Sequence, residues 1–170
     1  MQPFPHHYAV RAVSDPTGAV PLAGAGLPAL TTATPAEFGG PGDQWSPETL
    51  LAGAVASCFA LTFRALASAR RMEWTSLDCH VTGTLDRAER VTRFIEMQVV
   101  ARLLVPAGAD AEVAQRLLVR AEETCLVTRS LNATVHLDAS VAFESGARRV
   151  EVIEASRRRG VRAGNVIGDG

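Results

Sequence analysis

The stretch SPETLLAGAVASCF, residues 46–59, decides how the chain folds. Ser46 can cap a helix, Pro47 suits the first helical position, and Glu48 lies where the helix dipole favours an anion. After Glu48 the stretch carries no charge, and its apolar side chains are spread around the whole helix. The sequence therefore predicts a long central helix that is buried on every side, with Cys58 inside it.

Beyond this helix, two sequence periods predict the remaining elements. Residues 77–85 and 95–105 alternate apolar and polar side chains, which indicates the two strands of a hairpin. An apolar stripe over residues 113–121 is typical of an amphipathic second helix, and this helix leads to Cys125. Residues 133–143 alternate again and predict a last strand.

The order of these elements predicts an α+β fold with antiparallel sheets and helices on one face. Residues 8–13 and 30–34 add short β-like pieces, and a Gly/Pro-rich loop precedes the central helix. A helix that is apolar all round needs more cover than one small subunit offers, so we expect a homodimer whose long helices pack together. We expect one domain over residues 1–143 and an Arg-rich, mobile tail over residues 144–170.

Composition and charge exclude several classes of function. The formal net charge of −1 gives no reason to expect binding to nucleic acid or to an anionic membrane. The uncharged run is shorter than the roughly 20 residues that cross a bilayer, and the N-terminus lacks the pattern of a signal peptide. The 3 cysteines include no CxxC pair. This usage predicts a cytoplasmic protein in which any disulfide is transient.

Metal binding also lacks a sequence signal. Cys79 and His80 are neighbours on a predicted strand, so their side chains point to opposite faces and do not converge on one ion. No HxxxH or HExxH spacing occurs in the chain. Cys79 is therefore interpreted as a core residue, and no metal site is expected.

Two cysteines remain as candidates for thiol chemistry. A single cysteine in a core helix, such as Cys58, is more often a packing residue than a reactive one. Cys125 differs because it ends its helix beside four polar residues, Glu122, Glu123, Thr124 and Thr128. A thiolate can attack the O–O bond of a peroxide to become a sulfenic acid, and a second thiol can then form a disulfide with it. Such a nucleophile needs a cation or hydrogen-bond donors near its sulfur.

Residues 34–143 resemble the OsmC/Ohr family of peroxide-reducing proteins. Glu48 and Cys58 match the family's glutamate ten residues before the helix cysteine, Cys125 matches its second cysteine, and FGGPG at 38–42 looks like the family's preceding loop. The resemblance implies a cysteine-based hydroperoxide reductase with no metal or bound cofactor. It also implies an intertwined homodimer with sites at the subunit interface, and a dithiol or small thiol as reductant.

The chain departs from the family pattern near the second cysteine and upstream of the helix. Leu126 stands where the family usually has proline, and Arg129 stands where asparagine is common. The arginine that activates the thiolate in the organic-hydroperoxide branch has no clear counterpart. Arg11 and Arg129 are the candidates for that role, although most such arginines form exposed salt bridges.

The resulting hypothesis makes Cys58 the nucleophile, Cys125 the resolving thiol, and Glu48 the residue that orients the activating cation. Glu48 lies roughly 15 Å along the helix axis from Cys58, so it must act through a long arginine or from the partner subunit. The aliphatic surroundings of Cys58 favour organic hydroperoxides over hydrogen peroxide. The alternative is an OsmC-like binding protein for a small molecule or partner, which has lost peroxidase activity with its arginine. A guanidinium near the Cys58 sulfur would distinguish the two.

Overall fold

The computed structural model describes residues 3–88, 90–144 and 152–159. The chain forms two compact units, Met1–Leu51 and Ala52–Gly170. The expected boundary between a domain at residues 1–143 and a tail at residues 144–170 stays a prediction. Each unit has its own sheet.

The first unit contains a small antiparallel sheet of order β1-β2-β3. Its strands are β1 at Arg11–Ala12, β2 at Val20–Ala23 and β3 at Leu30–Thr32. The two β-like pieces expected from the sequence are confirmed in shortened form. The middle strand, VPLA, was not expected because it is short and contains a proline.

Helix α1, Pro47–Ala69, begins where the sequence predicts. The Thr49 backbone N–H donates to Ser46 Oγ at 3.2 Å, and the Ser46 N–H donates to Thr49 Oγ1 at 2.8 Å. This reciprocal pair satisfies two backbone donors that the helix itself leaves without partners.

In the single chain, burial of α1 is confined to one face. The buried side chains are spaced four residues apart, as expected for one side of a helix: Val55, Phe59, Phe63 and Ala67. Phe63 packs edge-on against Trp74, with ring centroids 5.4 Å apart. Leu61, by contrast, is 50% exposed. The other faces of this apolar helix are therefore only partly covered within one copy of the chain.

By length and composition alone, α1 is one helix among the described residues that could cross a membrane. Its 23 residues exceed the uncharged run considered in the sequence analysis. Core helices of water-soluble proteins meet the same criterion.

The second unit contains a four-stranded sheet of order β4-β5-β6-β7. The strands are β4 at Ser76–Ala88, β5 at Val91–Val105, β6 at Thr134–Phe143 and β7 at Val152–Arg159. Strands β4 and β5 pair antiparallel, so the expected hairpin is confirmed.

Strands β5 and β6 pair in parallel, which the expectation of antiparallel sheets did not include. The chain crosses between them through α2, Ala111–Thr124, and the single-turn helix α3, Leu126–Arg129. Parallel neighbours need such a crossover connection, usually helical. The second predicted helix is thereby confirmed, and its C-terminal end carries Cys125.

Part of the expected mobile tail is a strand. β7 pairs antiparallel with β6 from Val135↔Arg159 to Ala142↔Val152. Residues 145–151 and 160–170, over which a mobile tail was also expected, lie outside the described residues.

The core of the second unit lies between the sheet and α2, which packs on β6. Alternate side chains of β5 and β6 are buried, as their period-two patterns predict. The buried side chains in these elements include Met97, Val99, Leu103, Leu118, Leu137 and Val141.

Candidate active site

Cys58 and Cys125, which the sequence analysis paired, are in hydrogen-bonding contact in the second unit. Cys58 lies in the middle of α1, and Cys125 joins α2 to α3 with an extended backbone, φ −62° and ψ 116°. Both are free thiols, Cys58 half-buried and Cys125 completely buried. The turn after α2 therefore brings the second thiol to the first.

The Cys58 sulfur accepts hydrogen bonds from several donors. Burial raises the pKa of Cys58, but backbone N–H groups of Val127 and Leu126, the Cys125 thiol and the Thr62 side chain together outweigh it. The net result is a Cys58 pKa below its ordinary value. Because the thiolate is the nucleophilic form of cysteine, these bonds favour reactivity at Cys58.

Cys125 is shifted in the opposite direction. Burial raises the pKa of Cys125, as do its hydrogen bond to Cys58 and the charge on that sulfur, while the backbone and side chain of Thr128 oppose the change. The net pKa of Cys125 is raised. The pKa values of the two contacting thiols are therefore shifted in opposite directions, and Cys58 is the one more easily ionised.

Cys79, the third thiol of the described chain, is half-buried on β4. On β4 it lies opposite Ala101 of β5, whose side chain is completely buried. Burial raises the pKa of Cys79 to about 11, with smaller contributions from the charges of Asp78 and Cys125. Cys79 therefore stays protonated when Cys58 ionises.

The raised pKa of Cys79 predicts a loss of stability at high pH. A cysteine thiol in the unfolded chain has a pKa of about 8.5, whereas the pKa of Cys79 in the folded chain is about 11. The contribution of Cys79 to the free energy of unfolding is therefore present below about pH 8.5 and is lost as the pH rises towards 11. Urea unfolding across this range should show a smaller decline for Cys79→Ala than for the wild type. Equal declines would contradict this assignment.

Neither arginine candidate accounts for the pKa of Cys58. The described groups that lower it are uncharged hydrogen-bond donors. Arg129 has an exposed side chain at the end of α3, and Arg11 is exposed on β1 in the first unit. Of the two means that the sequence analysis considered for lowering this pKa, a cation or hydrogen-bond donors, the described residues supply hydrogen-bond donors.

Glu48 belongs to the first unit, whereas both paired cysteines belong to the second. Its carboxylate oxygen Oε2 is buried and has no hydrogen-bond partner among the described residues. Glu48 lines a cavity of about 520 Å³ with mostly apolar walls that include Leu22, Phe38 and Leu50. An unpartnered carboxylate in apolar surroundings is suited to receive a cation or a hydrogen-bond donor.

The FGGPG loop next to this cavity depends on its glycines, and most directly on Gly40. A Cβ atom on Gly40 would overlap the Thr34 carbonyl oxygen. Glycine at this position therefore permits the close approach of two backbone segments, and Phe38 of the same loop lines the cavity.

Within the described residues, no group of three or more His, Cys, Asp or Glu side chains could hold a metal ion. The donors around Cys58 were also absent from the sequence analysis. Thr62 could have been found, because it follows Cys58 by four residues and lies on the same side of α1. The N–H groups of Leu126 and Val127 leave no signal in the side-chain pattern.

Comparison with known proteins shows which family has this sequence pattern and fold. A sequence profile described as "OsmC-like protein" matches residues 40–140. The uncharacterized protein YmaD of Bacillus subtilis (strain 168) is 26% identical over 117 residues, which cover 66% of this chain and 77% of YmaD.

Solved structures of OsmC-like proteins have a similar fold, at lower sequence identity. An OsmC-like protein of unknown function from Vibrio cholerae superposes with a TM-score of 0.72 at 13% identity, covering 80% of this chain and 99% of that one. The organic hydroperoxide resistance protein OsmC of Legionella pneumophila superposes with a TM-score of 0.62 at 24% identity, covering 80% of this chain and 96% of that one. The organic hydroperoxide resistance protein OhrB of Bacillus subtilis superposes with a TM-score of 0.58 at 20% identity, covering 80% of this chain and 98% of that one. These likenesses show a shared fold.

Proposed function

Since the chain belongs to the OsmC-like family, we propose that it is a thiol-dependent peroxidase that reduces organic hydroperoxides. The observation that carries this proposal is the hydrogen-bonded pair of Cys58 and Cys125, with its opposite pKa shifts. A peroxidase of this kind needs one thiolate to attack and one thiol to resolve the product.

In the proposed reaction, the Cys58 thiolate attacks the terminal oxygen of the hydroperoxide. The O–O bond breaks, Cys58 becomes a sulfenic acid, and the leaving alkoxide takes up a proton to become an alcohol. The Cys125 thiol then attacks the Cys58 sulfur, forming the disulfide and releasing water. A dithiol or a small thiol reduces this disulfide by exchange and restores both cysteines.

We propose organic hydroperoxides as the preferred substrates because an exposed apolar side chain lies next to the pair of thiols in the sequence. Leu126 directly follows Cys125 and is 74% exposed. Burying an apolar tail is worth about 0.8 kcal/mol per CH₂ group, which hydrogen peroxide cannot gain.

The test of this function is peroxide consumption by the full chain with excess dithiol. Cumene hydroperoxide and hydrogen peroxide should be assayed side by side, and we expect faster consumption of cumene hydroperoxide. If neither peroxide is consumed and no thiol is lost, the chain is not a peroxidase.

One observation favours a second candidate, a binding protein for small molecules. The apolar cavity at Glu48 has the volume of a ligand site and an unpartnered carboxylate oxygen in its wall. A small molecule bound without any peroxide consumption would support this alternative over the enzyme.

We also propose that Glu48 supports the active site from the partner subunit of a homodimer, by orienting a cation or donor near Cys58. Glu48→Gln should then slow peroxide attack several-fold and raise the pKa of Cys58, without dissociating the dimer. Stopped-flow consumption and pH-dependent alkylation measure the two effects. Glu37→Gln is a matched control, because Glu37 is also an acidic residue in the first turn of a helix. If Glu48→Gln matches the wild type, Glu48 only favours the start of α1.

We place the enzyme in the cytoplasm, where thiols stay reduced and a catalytic disulfide can be recycled. It would need neither a metal nor a bound cofactor for the reaction, since both redox groups are cysteines of the chain.

A further inference from the structure

We propose that the cavity beside Glu48 binds a small organic ammonium ion, with the apolar body of the ligand against the aliphatic walls and its charged nitrogen at the Glu48 carboxylate. All lining residues of this cavity belong to the first unit, whereas both paired thiols belong to the second. The inference goes beyond the peroxidase reaction. It rests on the second candidate function, to which it gives a chemical class of ligand.

Strands β2 and β3 and the first turn of α1 build the walls of this cavity. Val20 and Leu22 alternate along β2, so their side chains lie on the same face of the small sheet. Leu50 of α1 adds a further aliphatic side chain, and Phe38 lines the cavity with a ring that is 58% exposed. These side chains can remove the apolar body of a ligand from water, and the volume of about 520 Å³ is that of a small-molecule site.

Among the described residues that line the cavity, Glu48 alone is charged. The others are apolar apart from Thr32 and Thr34, and the Thr32 hydroxyl already donates to the Val20 carbonyl at 3.0 Å within the sheet. Glu48 stands in the first turn of α1, where the helix dipole favours negative charge. An apolar cavity with one carboxylate in its wall is complementary to an apolar molecule with one positive charge.

Within the described chain, one oxygen of the Glu48 carboxylate has no hydrogen-bond donor. This oxygen, Oε2, is buried. The neighbouring donors at the start of α1 are already used, because the Ser46 N–H donates to Thr49 Oγ1 and the Thr49 N–H donates to Ser46 Oγ. Pro47 has no N–H to offer. Since a buried, charged acceptor without a donor is unfavourable, a ligand that supplies a donor here gains affinity from it.

An ammonium ion fits this carboxylate better than a metal ion does. Mg²⁺ and Ca²⁺ need several oxygen ligands, and no group of three or more His, Cys, Asp or Glu side chains in the described chain could hold a metal ion. An ammonium ion is a compact point charge with N–H donors, and a single carboxylate is enough to bind it. Rotation about the broad terminal torsion of Glu48 brings either carboxylate oxygen to the nitrogen.

The test is the affinity of the reduced, full-length protein for three probes, measured by ligand-observed NMR titration at neutral pH. Phenethylammonium carries both the apolar body and the charge, phenethyl alcohol keeps the body without the charge, and methylammonium keeps the charge without the body. We expect phenethylammonium to bind at least about tenfold more tightly than either of the other probes. Equal affinity for phenethylammonium and phenethyl alcohol would overturn the inference, as would the absence of any binding.

The variant Glu48→Gln assigns the binding to this cavity, because it removes the charge at nearly constant size. We expect it to bind phenethylammonium at least about tenfold more weakly than the wild type and to bind phenethyl alcohol equally well. Glu37→Gln is the matched control, since Glu37 also lies in the first turn of a helix but is not among the residues that line the cavity. Circular dichroism checks that both variants are folded. Wild-type affinity for phenethylammonium in Glu48→Gln, or an equal loss in Glu37→Gln, would contradict the proposed site.

These titrations need no peroxide, so they separate this inference from the proposed peroxidase and from the role proposed for Glu48 near Cys58. Charge-dependent binding without peroxide consumption would establish the ligand class and refute the peroxidase. Peroxide consumption without charge-dependent binding would refute the ligand class alone. Binding of phenethyl alcohol as tight as that of phenethylammonium would support a small-molecule site and refute its preference for ammonium ions.

Discussion

Cys58→Ser will abolish hydroperoxide reduction, whereas Cys125→Ser will permit a single turnover and then stop. Serine at position 58 lacks the low-pKa sulfur that attacks the O–O bond. Without Cys125, the sulfenic acid on Cys58 has no resolving thiol and stays open to further oxidation. Peroxide consumption under excess dithiol, with mass spectrometry of the product, distinguishes the two variants.

The third thiol serves as the control for this pair of variants. Cys79→Ser should lower stability somewhat and leave peroxide reduction intact, because Cys79 lies opposite a buried residue on the sheet. Thiol titration of the wild type after one equivalent of hydroperoxide should show two thiols lost together. Full activity in both Cys58→Ser and Cys125→Ser would contradict the mechanism and make these cysteines packing residues.

We expect the wild-type protein to be a homodimer and the Leu61→Arg variant to be a monomer. In one chain, Leu61 is 50% exposed on a helix that is apolar on several faces, and such exposed surface usually marks an interface. Light scattering of the wild type should give twice the 18.0 kDa mass of the chain. An arginine at position 61 would bury a charge between the packed helices, at a cost that a dimer interface does not recover.

The control for the dimer is Val91→Arg, at the tip of the β4–β5 hairpin, where Val91 is 58% exposed. This variant adds the same charge at a similarly exposed apolar position, and we expect it to remain dimeric. A wild-type protein that scatters light as a monomer would contradict the dimer and would leave Glu48 without a partner subunit to serve.

The elements with strong periodicity could be predicted from the sequence. The hairpin of β4 and β5, helix α2 and strand β6 all carry clear apolar patterns, because each presents one face to the core. The start of α1 was equally clear, since Ser46 and Pro47 have well-defined preferences at helix ends.

Other features of the fold leave no periodic signal. The segment VIEASRRR of β7 ends in three arginines, so composition favours a solvated tail although the backbone pairs with β6. Periodicity also gives no pairing direction, and the parallel pair of β5 and β6 follows from the helical crossover. The burial of α1 differs from expectation because a single copy covers only its Val55–Phe59–Phe63–Ala67 face.

The candidate site was partly accessible from sequence. The pairing of Cys58 with Cys125 came from the family-like motif, and the two thiols are in contact in the structure. The means of activation was not accessible. Arginines were considered because charge is visible in a sequence, whereas the donors at Leu126 and Val127 are main-chain groups that every residue except proline possesses.

The helical crossover between β5 and β6 has a consequence for the folding of this protein. Cys58 precedes the β4–β5 hairpin, whereas its hydrogen-bond donors at Leu126 and Val127 follow it, so they meet only after a long loop has closed. Contacts of such large sequence separation form slowly compared with a local helix. A nascent or unfolded chain therefore carries ordinary thiols, and the reactive cysteine first exists once the second unit has assembled.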